Sequence, residues 1–146
     1  MNAFATAALA GAAGAGATTL LHELTRRLAP DAPRVDLLGM QALARVLRAG
    51  GMRPPAGDEL YALTLMGDLL SNTACFGLVR VVSRDKALPV GTALGVAAGL
   101  GAVYLPPFLG LSTLPTQRTG ATRALTMALY TAGGAVAGLT YRALSV

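Results

Sequence analysis

The sequence predicts an all-α, polytopic membrane protein with four transmembrane helices and an amphipathic interfacial helix between the first and the second. Hydrophobic residues make up 53% of the chain and charged residues only 13%, whereas about a quarter of the residues in a soluble domain are charged. Four long segments are almost free of charge, and each is long enough to cross a hydrocarbon layer of about 30 Å. Most basic residues flank these segments.

The four predicted spans form one membrane domain and are rich in small residues. Gly91, Gly95 and Gly99 recur at four-residue spacing in the third span, and Gly134 and Gly138 repeat this spacing in the fourth. Small residues allow membrane helices to approach closely, so we expect a glycine zipper and a tightly packed, central first span. The predicted spans cover approximately residues 3–24, 60–80, 88–105 and 123–144.

The pattern of polar and apolar residues in 35–49 predicts an amphipathic helix outside the spans. Gln41, Arg45 and Arg48 share one narrow face, apolar residues lie across from it, and a glycine pair beginning at Gly50 ends the helix. One interpretation places this helix in the membrane interface with its arginines towards the headgroups. The alternative is a re-entrant lid that packs over the bundle.

Acidic residues and prolines mark the predicted ends of several helices. Asp36 is expected in the cap or first turn of the amphipathic helix, Asp58 as the N-cap of the second span, and Glu59 in its first turn. Pro89 suits the first turn of the third span, and Pro106 follows its end. These residues therefore need no catalytic explanation.

The distribution of basic residues predicts the orientation in the membrane. The connection 25–57 contains six arginines and is expected to be cytoplasmic, with both termini on the opposite side. Counting all connections, eight basic residues lie on the cytoplasmic side and four outside. Arginine outnumbers lysine eleven to one, which suggests a GC-rich bacterial genome. The predicted location is the inner (cytoplasmic) membrane of a bacterial cell, with multiple crossings.

Short sequence similarities suggest a tandem repeat of 1–80 and 87–146. The segment 12–17 resembles 97–102, and further matches follow in the same order within both halves. We hypothesise a duplicated unit of span, interfacial segment and span, related by an axis along the membrane normal.

The second span contains one acidic residue near its middle, Asp68. A charge at this depth costs roughly 2.5 to 3.5 kcal/mol on insertion scales, so such residues usually face the bundle interior and often mark function. Residues three, four and seven positions away share its helical face. This predicted polar stripe comprises Tyr61, Thr64, Asp68, Ser71, Asn72 and Cys75, and much of the remaining surface consists of Leu63, Met66, Leu69, Leu70 and Phe76. Alternatively, Asp68 is protonated and contributes only to helix packing.

Other types of site are excluded or disfavoured. The single Cys75 excludes an intramolecular disulfide and a cysteine zinc cluster. His22 is the only histidine, and it points about 100° away from Glu23 on a helix, so the two are a poor chelating pair. Phosphate-binding glycine loops and nucleophile elbows are missing from the sequence. We expect no metal, no cofactor and no nucleic-acid partner.

We expect a small transport or permeation bundle that handles a proton, a cation or a small ligand at Asp68. The expected cavity is lined by residues of the polar stripe, with two neighbours from other helices. The candidate ligand- or ion-binding residues are Asp68, Asn72, Ser71, Thr64, Tyr61, His22 and Tyr130.

Two further functions stay open from the sequence. In the first, the protein is a non-catalytic structural or assembly subunit, whose glycine surfaces pack against copies of itself or against a larger membrane complex. In the second, it is an enzyme that modifies a lipid headgroup, with Asp68 and His22 as acid and base and Arg34 or Arg118 holding phosphate. The lipid bilayer is the expected partner in every case.

Overall fold

The computed structural model describes residues Asn2 to Ser145, and every regular element in this part of the chain is helical, as predicted. Three short 3₁₀ turns, Leu78–Val81, Arg84–Lys86 and Pro106–Leu109, connect the longer helices. The α-helices are α1 (Ala3–Leu28), α2 (Val35–Ala49), α3 (Gly57–Gly77), α4 (Ala87–Tyr104), α5 (Leu114–Gln117) and α6 (Gly120–Leu144).

Three segments of the described chain are long and apolar enough to cross a membrane: Ala3–Leu28, Gly57–Val81 and Arg84–Tyr104. They correspond to α1, to α3 with the turn that follows it, and to α4 with the turn before it. Helix α6 is 25 residues long but is not among them. Arg123, Arg142 and four threonines lower its hydropathy.

Helix α6 packs against α4 along most of its length, and the two helices run antiparallel. At Gly91, an added Cβ atom would lie 2.8 Å from the backbone nitrogen of Gly138. At Gly95, it would lie 2.8 Å from the Cα atom of Thr131. Since real Cβ atoms do not approach other atoms so closely, only glycine permits this helix spacing. Dispersion between the two backbones stabilises the pair.

Helix α1 lies between α6 and α3 and is antiparallel to both. Its small residues again form the contacts. A Cβ atom at Gly14 would lie 2.7 Å from the carbonyl oxygen of Gly133 in α6, and one at Gly11 would lie 3.0 Å from the backbone nitrogen of Gly77 in α3. The helices therefore follow one another in the spatial order α4, α6, α1, α3.

Helices α3 and α4 make few contacts with each other, although they are joined by a short connection. Near this connection the bundle is tightly closed. The side chains of Phe76 and Val79 are completely buried, and Phe76 packs with Tyr130 and Ala137 of α6. Phe76 lies outside the predicted polar stripe, and α6 covers it at this end of α3.

Helix α3 begins earlier than predicted. Gly57 adopts a φ of 58°, a conformation that glycine tolerates well, and turns the chain into the helix. The N-cap is Ala56, without a side-chain hydrogen bond, and both Asp58 and Glu59 lie in the first turn. The prediction of Asp58 as the N-cap is therefore wrong, although both carboxylates still complement the helix dipole.

Helix α2 has the predicted bounds, and it packs against α3. Gly39 allows this contact, because a Cβ atom there would lie 2.6 Å from the Cγ2 atom of Thr64. The backbone nitrogen of Arg34 donates a hydrogen bond to the carbonyl oxygen of Pro115 at 2.8 Å. Helix α2 is thus fixed at the end of the bundle where α1 ends and α3 begins.

Candidate functional site

A cavity of about 950 Å³ lies where α3 and α4 diverge, and α1, α2 and α6 complete its walls. Its volume is at the upper end of the range for small-molecule sites, roughly 300 to 1,000 Å³. Along α3 the lining extends from Tyr61 to Cys75, a rise of roughly 21 Å at 1.5 Å per residue. The cavity therefore reaches well below the end of the bundle at which α2 lies.

All seven candidate site residues line this cavity. Five of them follow one face of α3, where the 3.6-residue period aligns positions four apart. Helix α1 contributes the sixth and α6 the seventh. The seven residues are Tyr61, Thr64, Asp68, Ser71, Asn72, His22 and Tyr130.

The ring of His22 leaves one nitrogen without a partner. Its Nδ1 atom lies 2.9 Å from the carbonyl oxygen of Thr18. Because a carbonyl oxygen can only accept, Nδ1 bears the proton in this contact. The Nε2 atom is buried and has no hydrogen-bond partner in the described part of the chain. In the neutral ring this nitrogen is an available acceptor at the cavity wall.

Three more buried polar atoms belong to residues that line the cavity and lack a protein partner among residues 2–145. They are Thr19 Oγ1, Thr64 Oγ1 and Asn72 Nδ2. An unsatisfied buried polar atom costs about 1 to 3 kcal/mol, and most such atoms in proteins are hydrogen-bonded. With His22 Nε2, they are the complete set of such side-chain atoms in the described chain. Their concentration in one cavity is the arrangement expected of a binding site.

The charged side chains at the open end of the cavity are paired with one another. Glu23 contacts Arg27 at 2.9 Å and also contacts Arg26, and Arg26 lies 4.0 Å from Asp36. Asp68 lies deeper, and none of the ion pairs in the described chain includes it. The cavity thus contains one carboxyl group without a basic partner.

Asp36 is more strongly held by its neighbour in sequence, Arg34. The guanidinium Nη2 lies 2.7 Å from the Asp36 carboxylate, and Nε lies 2.9 Å from its other oxygen. Burial acts to raise the pKa of Asp36, but the hydrogen bonds and charge of Arg34 outweigh it, so the pKa lies below its usual range. The same pairing raises the pKa of Arg34. Both groups are therefore charged at neutral pH.

Two of the predicted site residues are less available than the others. The hydroxyl of Ser71 donates to the carbonyl oxygen of Asp68 at 3.1 Å, so α3 already satisfies it. Tyr61 lies near the open end of the cavity, where 37% of the residue is exposed. The deeper residues are the stronger candidates for direct contact with a ligand.

The lining of the cavity does not extend beyond Cys75 along α3. Beyond Cys75 it ends at the buried side chains of Phe76 and Val79. Its sides include exposed leucines from α1, α3 and the segment after α4. These exposed lining residues are Leu20, Leu63, Leu105 and Leu109. The gap between α3 and α4 is therefore bordered by apolar surface.

Sequence reasoning missed several residues of the wall. Thr19 lies three positions before His22 and hence on the same face of α1, so helical spacing could have identified it. The contributions of Val35 and Leu38 from α2 and of Ala98 from α4 depend on how the helices pack. Local periodicity does not contain this information.

The structure does not assemble the arginines suggested for phosphate binding. Arg34 is engaged by Asp36, and Arg118 lies 3.7 Å from Asp31 and donates to the carbonyl oxygen of Pro30. Neither arginine lines the cavity that contains Asp68. No group of three histidine, cysteine or acidic side chains suited to a metal ion occurs in the described residues.

Comparison with protein-family models, with curated proteins and with solved structures gives no match to the chain. Inferences about function therefore depend on the geometry of the cavity.

Proposed function

We propose that this chain is a small integral membrane transport protein that binds a proton, a cation or a small ligand at Asp68 and moves it across the bilayer. The observation that supports this proposal is the deep cavity, which surrounds an unpaired carboxyl group with polar residues from three helices. Carboxyl groups within membrane helices commonly bind transported ions or take part in proton relays.

The proposal includes four crossings of the membrane. Helix α6 packs between α1 and α4 along most of its length, and we therefore propose that it crosses the same layer as its neighbours. Its threonines are compatible with this position, because they bond to the helix backbone. Thr126 Oγ1 donates to the carbonyl oxygen of Thr122 at 2.8 Å, and Thr131 Oγ1 donates to that of Met127 at 2.7 Å. Neighbouring helices and internal bonds thus reduce the cost of polar groups in lipid.

Helix α2 is proposed to lie in the cytoplasmic interface of a bacterial inner membrane. The side chains of Arg45 and Arg48 are exposed, as expected for arginines that contact headgroups. The end of the bundle that includes α2 and α5 also has the larger number of basic residues, which favours the cytoplasmic side. In this orientation the cavity opens towards the cytoplasm.

The transport mechanism proposed here is alternating access. In this mechanism the cavity near α2 would belong to one of the two states, and the buried Phe76 and Val79 would close the other side. Approach of α3 to α4 around Asp68, with separation at Phe76, would expose the same carboxyl group to the other side. The few contacts between α3 and α4 leave room for this movement.

An assembly subunit is a less suitable alternative. The glycines of the α4–α6 and α1–α6 contacts face other helices of the same chain, namely Gly91 against Gly138 and Gly14 against Gly133. These surfaces are consequently not available to a second copy.

The proposal is tested by measuring proton flux and uptake of small cations in liposomes that contain the purified protein. Asp68→Asn should abolish flux driven by a pH gradient, whereas Asp58→Asn, an exposed acid on the same helix, should leave it unchanged. Circular dichroism and gel filtration verify that both variants fold. Equal flux in Asp68→Asn and the unmodified protein, or no flux in either, would overturn the proposal.

A further inference from the structure

We infer that the ligand of this cavity is an amphipathic organic cation, with a positively charged nitrogen or phosphonium centre and an apolar body. The inference deepens the proposed function, because it names the class of substrate that binds at Asp68. It rests on the charge, the walls and the size of the cavity.

The position of the charges, rather than their sum, favours a cation at Asp68. Its charged residues are two arginines, Arg26 and Arg27, and three acids, Glu23, Asp36 and Asp68. At the open end both arginines contact Glu23, and Asp36 is held by Arg34. Ionised Asp68 is left as one uncompensated negative charge at depth, where water screens it poorly. An anionic ligand would be repelled from this position.

The walls favour an organic ligand over a metal ion. Ca²⁺ requires six to eight oxygen ligands and Mg²⁺ near-ideal octahedral geometry, but the described residues present no cluster of three metal-binding groups. The rest of the lining is mainly leucine, alanine and glycine. A volume of about 950 Å³ is also much larger than a single ion needs, and it suits an apolar body of drug-like size.

Aromatic rings and unpartnered polar atoms complete the recognition of such a cation. Three aromatic residues line the cavity together with Asp68: Tyr61 on the same helix, His22 on α1 and Tyr130 on α6. The faces of tyrosine rings attract organic cations. His22 Nε2 and Thr64 Oγ1 lack protein partners in the described chain and can accept hydrogen bonds. They suit the N–H groups of a protonated amine.

The exposed leucines beside the gap indicate the route by which such a ligand arrives. Leu20 is 72% exposed and Leu105 is 55% exposed, and both line the cavity. In a bilayer these side chains contact acyl chains. An amphipathic cation dissolved in the membrane can therefore reach the cavity along apolar side chains.

The inference is tested with two probes of the same shape and opposite charge, radiolabelled tetraphenylphosphonium and tetraphenylborate. Equilibrium binding is measured on protein in phosphatidylcholine nanodiscs, with empty nanodiscs subtracted. We expect saturable binding of the phosphonium only. Asp68→Asn should weaken it by at least about tenfold, as for removal of a buried charge partner, and Asp58→Asn should have no effect.

A second readout locates the probe. Cys75 is a free cysteine in the cavity wall, so bound tetraphenylphosphonium should slow its alkylation by N-ethylmaleimide. Ala97→Trp, which places a large side chain in the same cavity from α4, should reduce binding even if Asp68→Asn does not fold.

Each other result overturns the inference. Equal binding of tetraphenylborate would show an apolar pocket without charge selectivity, and undiminished binding by Asp68→Asn would place the cation elsewhere. Absence of phosphonium binding together with Asp68-dependent proton flux would refute the ligand class while the proposed transport function stands. Absence of both would refute the two together.

Discussion

The ring of His22 meets the ring of Tyr130 edge-on, with ring centroids 5.4 Å apart and ring planes inclined at 71°. This contact joins α1 to α6 beside the cavity. Edge-to-face pairs contribute about 0.5 to 1.5 kcal/mol beyond the area that they bury. His22→Ala should therefore lower the free energy of unfolding by about 1 kcal/mol or more, measured by detergent-induced unfolding followed by circular dichroism.

Tyr130→Phe is the matched control for this prediction, because it retains the ring and removes only the hydroxyl group. It should unfold at nearly the same detergent concentration as the unmodified protein. If Tyr130→Phe is destabilised as much as His22→Ala, the hydroxyl and not the ring contact stabilises this part of the bundle.

The backbone contact between α4 and α6 predicts that Gly91 does not tolerate a side chain. In Gly91→Val the added atoms would overlap Gly138, because a Cβ atom at position 91 would lie 2.8 Å from the Gly138 backbone nitrogen. Overpacking of this kind typically costs about 1 to 3 kcal/mol, and rigid backbone on both sides prevents relief by side-chain movement. The variant should show a lower melting temperature and a smaller yield of monodisperse protein.

Gly16→Ala is the corresponding control, since no atom lies within 4 Å of a Cβ atom at Gly16. Alanine should be accepted at this position with unchanged or slightly higher stability, because it favours helix more than glycine does. Equal loss of stability in the two variants would show that helix spacing is not what requires Gly91.

The sequence was sufficient to predict the helices and the polar face of α3. Hydropathy and the spacing of Thr64, Asp68 and Asn72 are local properties, and a helical period of 3.6 residues directly places them on one face. The bounds of α2 also followed from local features, its amphipathic pattern and the glycines after Ala49. The tandem repeat of 1–80 and 87–146 stays a prediction.

Other features depend on contacts between distant segments. The burial of Phe76 results from α6, about 60 positions away, and nothing within α3 distinguishes Phe76 from the exposed Leu70. The position of α2 beside Thr64 likewise depends on Gly39 and on the hydrogen bond to Pro115. Periodicity shows which residues share a face, but it does not show which helix covers that face.

The pairing of Asp36 with Arg34 predicts a dependence on pH at the start of α2. Because the pKa of Asp36 is lower in the folded protein than its usual value, the folded state gains stability above that value, near pH 4. This gain is lost as the pH falls through the lower, folded-state pKa. Hydrogen exchange of α2 amides, corrected for the intrinsic pH effect, should therefore accelerate below about pH 4.

The size of this effect should be at most about 1 kcal/mol, since solvent screens a partly exposed ion pair. Asp36→Asn should show faster exchange at neutral pH and should lose the acid dependence. Asp58→Asn, which removes an exposed acid that forms no ion pair with Arg34 in the described chain, should retain it. Acid-sensitive exchange that persists in Asp36→Asn would assign the transition to another group.

The position of Cys75 in the cavity wall allows access to the cavity to be measured without introducing a cysteine, because the chain contains only this one. Ala97 is exposed and lines the cavity, whereas Ala93, one helical turn earlier on α4, is exposed but does not line it. Ala97→Trp should slow alkylation of Cys75 by N-ethylmaleimide by about tenfold or more, because the indole ring occupies the route between α3 and α4. In the Ala93→Trp variant, Cys75 should be alkylated at the same rate as in the unmodified protein. Equal slowing in both variants would mean that the reagent reaches Cys75 by a different path.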